Sequence, residues 1–479
     1  MRGRDRRTGK LEVVGLGLAI SLMVMVSACR TRTRIQPNIV FILADDLDWK
    51  DVGFMGSRYY ETPYLDGLAS RGIIFTQAYS AGPNCAPSRA CIMTGQYTPR
   101  HGVCTVNSSE RGESRLRRLI PTPNTTTLAA EAFSLAEALD QAGYACAAFG
   151  KWHLGPVPAS GPLSQGFDLN VAGCHVGHPP AGYFAPYRLP GVEEAPEGEY
   201  LTDRLTDEAL AFIETHRDRP FFVYLSHYAV HTPLQAPSPL IEKYRRNPGN
   251  QDQSHPVYAA MIENMDTNIG RLLDKLNEWG LTHDTLVIFS SDNGGVRRIT
   301  SQAPLRGGKG MLYEGGIRVP QLVCWPGEIP AGTVCDVPVS GIDFFPSLLE
   351  LVGLPTPEGV VLDGISLAPL FFGRDLENSR SLHWHFPAYL EGEAEGARDP
   401  YFRTRPAAAV RRGDWKLIEY FEDGALELYN LAVDFGEQSN LAPTNPDKTS
   451  ELYAIMKEWR QAVKAPIPTR LNPEYRPPK

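Results

Sequence analysis

Residues 38–46 read NIVFILADD, and this stretch sets the reading of the whole chain. After Asn38 come six apolar residues, two of them isoleucine and one valine, with no polar residue on any second or fourth position. A half-exposed strand would alternate and an amphipathic helix would break the run, so the segment predicts a strand covered on both faces. It then stops in Asp45 and Asp46. The chain passes from full burial to paired carboxylates in a single step.

The same grammar recurs. YACAAFG (144–150), PFFVYLS (220–226), TLVIFS (285–290) and VPQLVCW (319–325) are further buried-strand runs. Between them lie helical stretches. SLAEALDQAG opens with Ser134 and Glu137 at capping-box spacing and closes at Gly143. A second helix is expected over Thr202 to His216. A third carries Tyr258, Ile262, Met265, Ile269, Leu272, Leu276 and Trp279 in steps of four and three, and stops at Gly280. Alternating strands and helices predict an α/β fold with a mostly parallel sheet and helices on both faces. Ligands in such sheets gather at the carboxyl ends of the strands.

This rhythm is expected to occupy residues 36–370. Beyond it, WKLIEY and ALELYNL followed by a helix over Thr449 to Val463 suggest a smaller C-terminal domain, 371–465, with an antiparallel sheet. Residues 466–479 form a Pro-rich tail, and 191–200 and 391–400 are acidic loops.

The first segment reads as an address. Arg2, Arg4, Arg6, Arg7 and Lys10 precede the apolar run Val13 to Val26, which is short for a membrane span and fits a signal peptide over 1–28. Val26-Ser27-Ala28-Cys29 resembles a bacterial lipobox, which would put a lipid on Cys29 and anchor the protein to a membrane by that lipid alone. Ordinary signal cleavage at the same small residues is the alternative, with Cys29 left as a thiol.

At 479 residues, 42% hydrophobic and 21% charged, the chain has ample material for a large core. Without residues 1–28, which hold five basic and two acidic side chains, 42 Lys and Arg face 53 Asp and Glu, a net charge of −11. That balance argues against nucleic acid as a partner. Export makes disulfides possible among the remaining cysteines, with the pairing open.

Two strand ends carry oxygen donors: Asp45 and Asp46 after the first strand, Asp292 and Asn293 after the strand ending at Ser290. Either pair alone could be a cap or a turn. Both pairs at the mouths of apolar strands point to a divalent cation, and oxygen-only donors suit Ca²⁺ or Mg²⁺ rather than Zn²⁺. Cations gather at similar junctions: Lys151 and His153 after the strand run 144–150, His231 in HTP after His227, and Lys309 in GGKG, which lacks P-loop spacing. With Arg89 they would make a pocket for a tetrahedral oxyanion.

Arg89 lies in Cys85-Ala86-Pro87-Ser88-Arg89. This segment resembles the C-x-P-S-R signature of the formylglycine-dependent (type I) sulfatases of the alkaline phosphatase superfamily. GKWHLG, HTP, SDNGG, GGKGMLYEGGIRVP, GIDFFPSLLELVG and LYNLAVDFGEQSNLA follow in that family's order, so the resemblance spans about 36–465. It implies an alkaline phosphatase-like fold and a sulfuric ester hydrolase. It further implies that a formylglycine-generating enzyme converts Cys85 to an aldehyde, whose hydrate is the nucleophile. Asp45, Asp46, Asp292 and Asn293 would then hold Ca²⁺, less readily Mg²⁺, with residue 85. Arg89 would steady the diol, Lys151, His231 and Lys309 would bind sulfate, and His231 or Lys309 would act as general acid. His153 would take the proton that frees the sulfate and restores the aldehyde.

Where relatives have a further polar group after GFD, the chain offers Asn170, His175 and His178, of which His175 is the expected match. His383 and His385 of HWHFP are expected at the substrate rim. The substrate class implied by location and family is a sulfated carbohydrate. A phosphoester or phosphonate hydrolase of the same superfamily, and a lipoprotein that binds sulfated glycans without cleaving them, are the alternatives.

Overall fold

The computed structural model describes residues 36–477 apart from 248, 251, 377–379 and 393. The signal peptide and Cys29 lie outside the described residues. Eight strands form the main sheet: β1 (Asn38–Ala44), β2 (Ile73–Phe75), β3 (Ala145–Gly150), β4 (Leu169–Val171), β5 (Phe221–Ser226), β6 (Thr285–Ser291), β7 (Gln321–Cys324) and β8 (Thr333–Cys335). Their spatial order is β4-β3-β5-β1-β6-β7-β2-β8. From β4 to β6 all neighbours are parallel, while β7 runs antiparallel to both β6 and β2. The sheet is thus mixed and mostly parallel.

β1 sits near the middle, pairing Ile39–Leu43 with Phe222–Ser226 on one side and Asn38–Ala44 with Thr285–Ser291 on the other. That position explains its unbroken apolar run. Val40, Ile42 and Ala44 face one core layer and Ile39, Phe41 and Leu43 the other. The helices that matter for the site are α1 (Cys85–Thr94), α2 (Leu135–Gln141), α3 (Leu201–Thr215), α4 (Pro256–Glu278) and α5 (Phe344–Val352). α3 and α4 bury Leu201, Leu205, Met261 and Met265 against the first layer. α1, α2 and α5 bury Ala90, Met93, Leu139 and Leu348 against the second. The capping box at Ser134 forms as expected: Glu137 N–H donates to Ser134 Oγ at 3.1 Å, and Ser134 N–H donates to Glu137 at 2.7 Å.

Near the C-terminus, β9 (Ser381–Phe386), β10 (Ala407–Arg412), β11 (Trp415–Tyr420) and β12 (Leu426–Asn430) pair in sequence order as an antiparallel sheet. One face packs on Tyr79, Met311, Tyr313 and Ile317; the other receives Leu452 and Met456 of α6 (Pro446–Ala462). The described cysteines, Cys85 included, are all unpaired thiols.

Candidate active site

Parallel strands end on one edge of the sheet, and three of those ends build the floor of the site. β1 delivers Asp45 and Asp46. The backbone ties them in place: Asp45 N–H donates to Ala229 O at 2.9 Å, Val230 N–H returns to Asp45 O at 2.8 Å, and Asp292 N–H donates to Ala44 O at 3.1 Å. Asp46 has φ 62° and His153 has φ 63°, a left-handed conformation that costs such residues about 1–3 kcal/mol and clusters at functional sites. Gly294 follows Asn293 because a Cβ there would meet Gly315 O at 2.0 Å, so the SDNGG and EGGIR turns can touch only through glycine.

The floor is a mesh of charges. Asp45 accepts from Lys151 Nζ at 2.7 Å, and Asp46 from Lys309 Nζ at 2.7 Å and Asn293 Nδ2 at 2.8 Å. Asp292 takes Nε and Nη2 of Arg89, both at 2.8 Å. Arg89 Nη1 also donates to Lys151 O at 3.0 Å and to Ser226 Oγ. Cys85, the first residue of α1, lies above: Sγ is 3.7 Å from Asp45 and 3.9 Å from Asp46. Ligand atoms of Asp45, Asp46, Cys85 and His231 fall within 4.8 Å of one another.

Electrostatics divides these groups. Burial raises Asp45 well above the carboxylate range, although Lys151 opposes the shift. Asp46 is equally buried, yet Lys309, His231 and Lys151 outweigh that and hold it low. Lys309 stays a firm cation because Asp46 overcomes the effect of burial. Burial and the nearby lysines keep His153 and His231 neutral, His231 at about 3. Burial pushes the Cys85 thiol up to about 12. Asn293 Oδ1 is buried without a hydrogen-bond partner among the described residues, a lone pair aimed at nothing the chain supplies. Three carboxylates and a spare amide oxygen fit a divalent cation of the calcium type.

Above the floor opens a cavity of about 410 Å³ lined by Cys85, His153, His231 and Lys309. His175 and His178 line it too, and His178 lies parallel to His231 with centroids 6.4 Å apart. Asn170 does not reach it: its amide closes a turn with Gly173, at 3.0 Å in both directions. The structure also corrects one expectation. His383 and His385 stay away from the cavity, because alternation in β9 sends Leu382, Trp384 and Phe386 to one side and the histidines toward α6. There His383 stacks on Trp459 at 4.4 Å and His385 Nε2 meets Pro466 O at 2.8 Å. Asn84, Arg111, Glu391 and Arg403 complete the cavity wall and were not singled out in the sequence. The acidic loop after residue 390 was the one signal pointing toward them.

The family profile described as "Sulfatase" matches residues 37–354, about two thirds of the chain, and thus the strand ends and α1 that make this site. The chain belongs to the sulfatase family. A second profile, "N-sulphoglucosamine sulphohydrolase, C-terminal", matches residues 308–464 of this sulfatase. A "Sulfatase" of Formosa agariphila is 33% identical, covering 86% of each chain. The human N-acetylgalactosamine-6-sulfatase is 35% identical over 85% of this chain and 76% of its own. Among solved structures, Ps i-CgsB superposes with a TM-score of 0.75 at 30% identity, covering 91% of this chain and 95% of that one, and has been solved with k-i-k-neocarrahexaose. The protein is a sulfuric ester hydrolase with an alkaline phosphatase-like fold.

Proposed function

We propose that this sulfatase releases sulfate from sulfated carbohydrates, using a formylglycine made from Cys85 and a Ca²⁺ held by Asp45, Asp46, Asp292 and Asn293. The observation that carries the reading is the placement of Cys85. It is 2% exposed at the head of α1, with its thiol pushed up to about 12 by burial, so a thiolate is not available near neutral pH. Conversion by a formylglycine-generating enzyme before folding would instead supply a hydrated aldehyde whose hydroxyl is the nucleophile. The cation, when bound, supplies Lewis-acid polarisation and favours the ionised nucleophile.

The remaining work falls to the chain's own side chains. Lys151 and Lys309 present fixed positive charge to the sulfate as its S–O bond breaks, and Arg89, bound to Asp292, steadies residue 85. His231 Nδ1 lies 2.7 Å from Thr232 O, so in the neutral ring Nδ1 donates there and Nε2 carries no proton. Lys309, an ammonium in the cavity wall, is therefore the better donor to the leaving oxygen. His153, held neutral, can take a proton from residue 85. Polar walls favour a carbohydrate, and so do the human relative's named substrate and the glycan bound to Ps i-CgsB. The address at 1–29 places the enzyme in the cell envelope as a lipoprotein.

The mass of the tryptic peptide containing residue 85, from protein made in its native host, tests the reading. A mass about 18 Da below that of the cysteine form is expected. An unmodified thiol would overturn it in favour of a glycan-binding lipoprotein. Faster turnover of phosphate than sulfate esters in a paired assay would move the activity to phosphoryl transfer.

A further inference from the structure

We propose that Gly177 is a positioning residue for the reaction: its missing side chain, together with the backbone carbonyl of Cys174, seats the His153 imidazole so that it can take the proton from residue 85. The inference rests on the sulfatase reading above for the task of His153, and it concerns only this chain's own residues.

A histidine base is commonly oriented by a hydrogen bond from the ring nitrogen that does not react. His153 has no such partner: Nδ1 is buried and makes no hydrogen bond among the described residues. Packing has to aim the ring instead, and Gly177 supplies the contact. A Cβ there would lie 2.7 Å from Nδ1 and 2.8 Å from Nε2 of His153, and closer still to Cε1. Glycine is often kept for a left-handed backbone, but Gly177 is not among the residues with positive φ. What position 177 needs is therefore space, and the outer edge of the imidazole fills it.

The loop that carries Gly177 is fastened to the strand that carries His153. β3 and β4 pair in parallel, Ala147–Phe149 against Leu169–Val171, so the chain leaves both strands on the same edge of the sheet. Just past β3, His153 N–H donates to Cys174 O at 2.8 Å. Just past β4, the amide of Asn170 closes the turn at Gly173, and Tyr228 Oη donates to Ala172 O at 3.0 Å. Those bonds fix residues 172–174, and Gly177 follows three positions on. Asn170, which does not reach the cavity, thus contributes to the site through this loop. His175 and His178 of the same loop line the cavity, so its wall and the seat of the base are one piece of chain.

The test uses the Ca²⁺-loaded, full-length enzyme labelled with ¹³C at histidine Cε1, in which His153→Ala identifies the His153 signal by its loss. Gly177→Ala should move that signal and leave the urea midpoint of unfolding unchanged, since the ring can swing aside. In turnover, kcat should fall about 100-fold and KM with it, while the alcohol is released in a burst stoichiometric with enzyme, because the step slowed is the one that frees sulfate from residue 85. Added to His153→Ala, Gly177→Ala should cost less than about twofold, as expected of a residue that acts through another. An unmoved signal, or an undiminished loss in the His153→Ala background, overturns the seat while leaving the sulfatase reading in place. A moved signal with unchanged kcat refutes the task given to His153. A wild type that cleaves no sulfate ester sinks the sulfatase reading, and the signal alone then decides the seat. If Gly177→Ala does not fold, Asn170→Ala, which opens the turn before Cys174, answers the same questions, with a loss of about tenfold in kcat expected.

Discussion

Two clusters of buried charge, one holding Lys309 and the other Glu314 five positions on, serve opposite ends. The floor of the cavity gathers Asp45, Asp46, Asp292, Arg89, Lys151 and Lys309. Behind it, Glu314 and Glu437 share Lys416, at 3.0 and 2.9 Å, with Tyr79 Oη donating to Glu314 at 2.6 Å and Arg318 at 3.5 Å. Glu314, Lys416 and Glu437 are fully buried. The second cluster pairs its carboxylates with its own cation, Glu437 Oε1 lying 2.9 Å from Lys416, and joins the EGGIRVP turn to β11 and to Glu437 of the loop after β12. The floor keeps a spare oxygen on Asn293 and opens to a cavity beside Cys85. Buried charge by itself is therefore no mark of function. Unfilled valence facing an opening is.

The sharpest way to break the comparison is to remove one member of each cluster. Cys85→Ala should lower kcat at least ~1,000-fold on any sulfate ester. Its unfolding free energy should move by no more than about 2 kcal/mol. Glu314→Ala should do the reverse. With Lys416 left to Glu437 alone and the buried Tyr79 hydroxyl deprived of its acceptor, it should cost about 3–5 kcal/mol in urea unfolding, while the folded fraction keeps its KM. A Glu314 variant of normal stability would show that the second cluster is not a strut.

Chelation sharpens the contrast. Dialysis against EGTA should reduce activity at least ~100-fold, with recovery on adding Ca²⁺ and weaker recovery with Mg²⁺. Full activity in the chelated enzyme would remove the floor's assignment as a cation site.

The smallest effect concerns histidines outside the cavity. Burial lowers His101 and His383 to about 3 and His227 and His385 to about 4, against 6.5 in the unfolded chain. Below pH 6.5 the unfolded chain binds protons that the folded protein refuses. Stability is thus fully present above that pH and is lost as pH falls toward 4. His383→Phe should flatten the slope between pH 6 and 5 by about 1.4 kcal/mol per unit, with KM within about twofold of wild type. A changed KM would return His383 to the substrate rim.

The sequence announced the central strands because their burial on both faces leaves an apolar run, and it announced the floor because two such strands both end in oxygen donors, which a cap or a turn explains singly but not together. The helices followed from periodicity and caps, as the Ser134 box shows. HWHF misled, because alternation tells which residues share a face of β9 but not which face looks at α6. The short edge strand β4 and the strand β10, Ala407–Arg412, carry little pattern of their own and take their form from partners distant in the chain.

What the sequence determined by itself is local and periodic: the sheet, the strand-end donors and the Cys85 motif, each legible because a few neighbouring residues carry the whole physical signal. What only the tertiary structure decided is where separate loops meet. Arg111 and Glu391 are 280 positions apart and touch at 2.7 Å. Nothing in either loop records the other, because their contact is made where the two loops bridge at Glu110 and Tyr389, with Tyr389 N–H donating to Ser109 O at 3.0 Å.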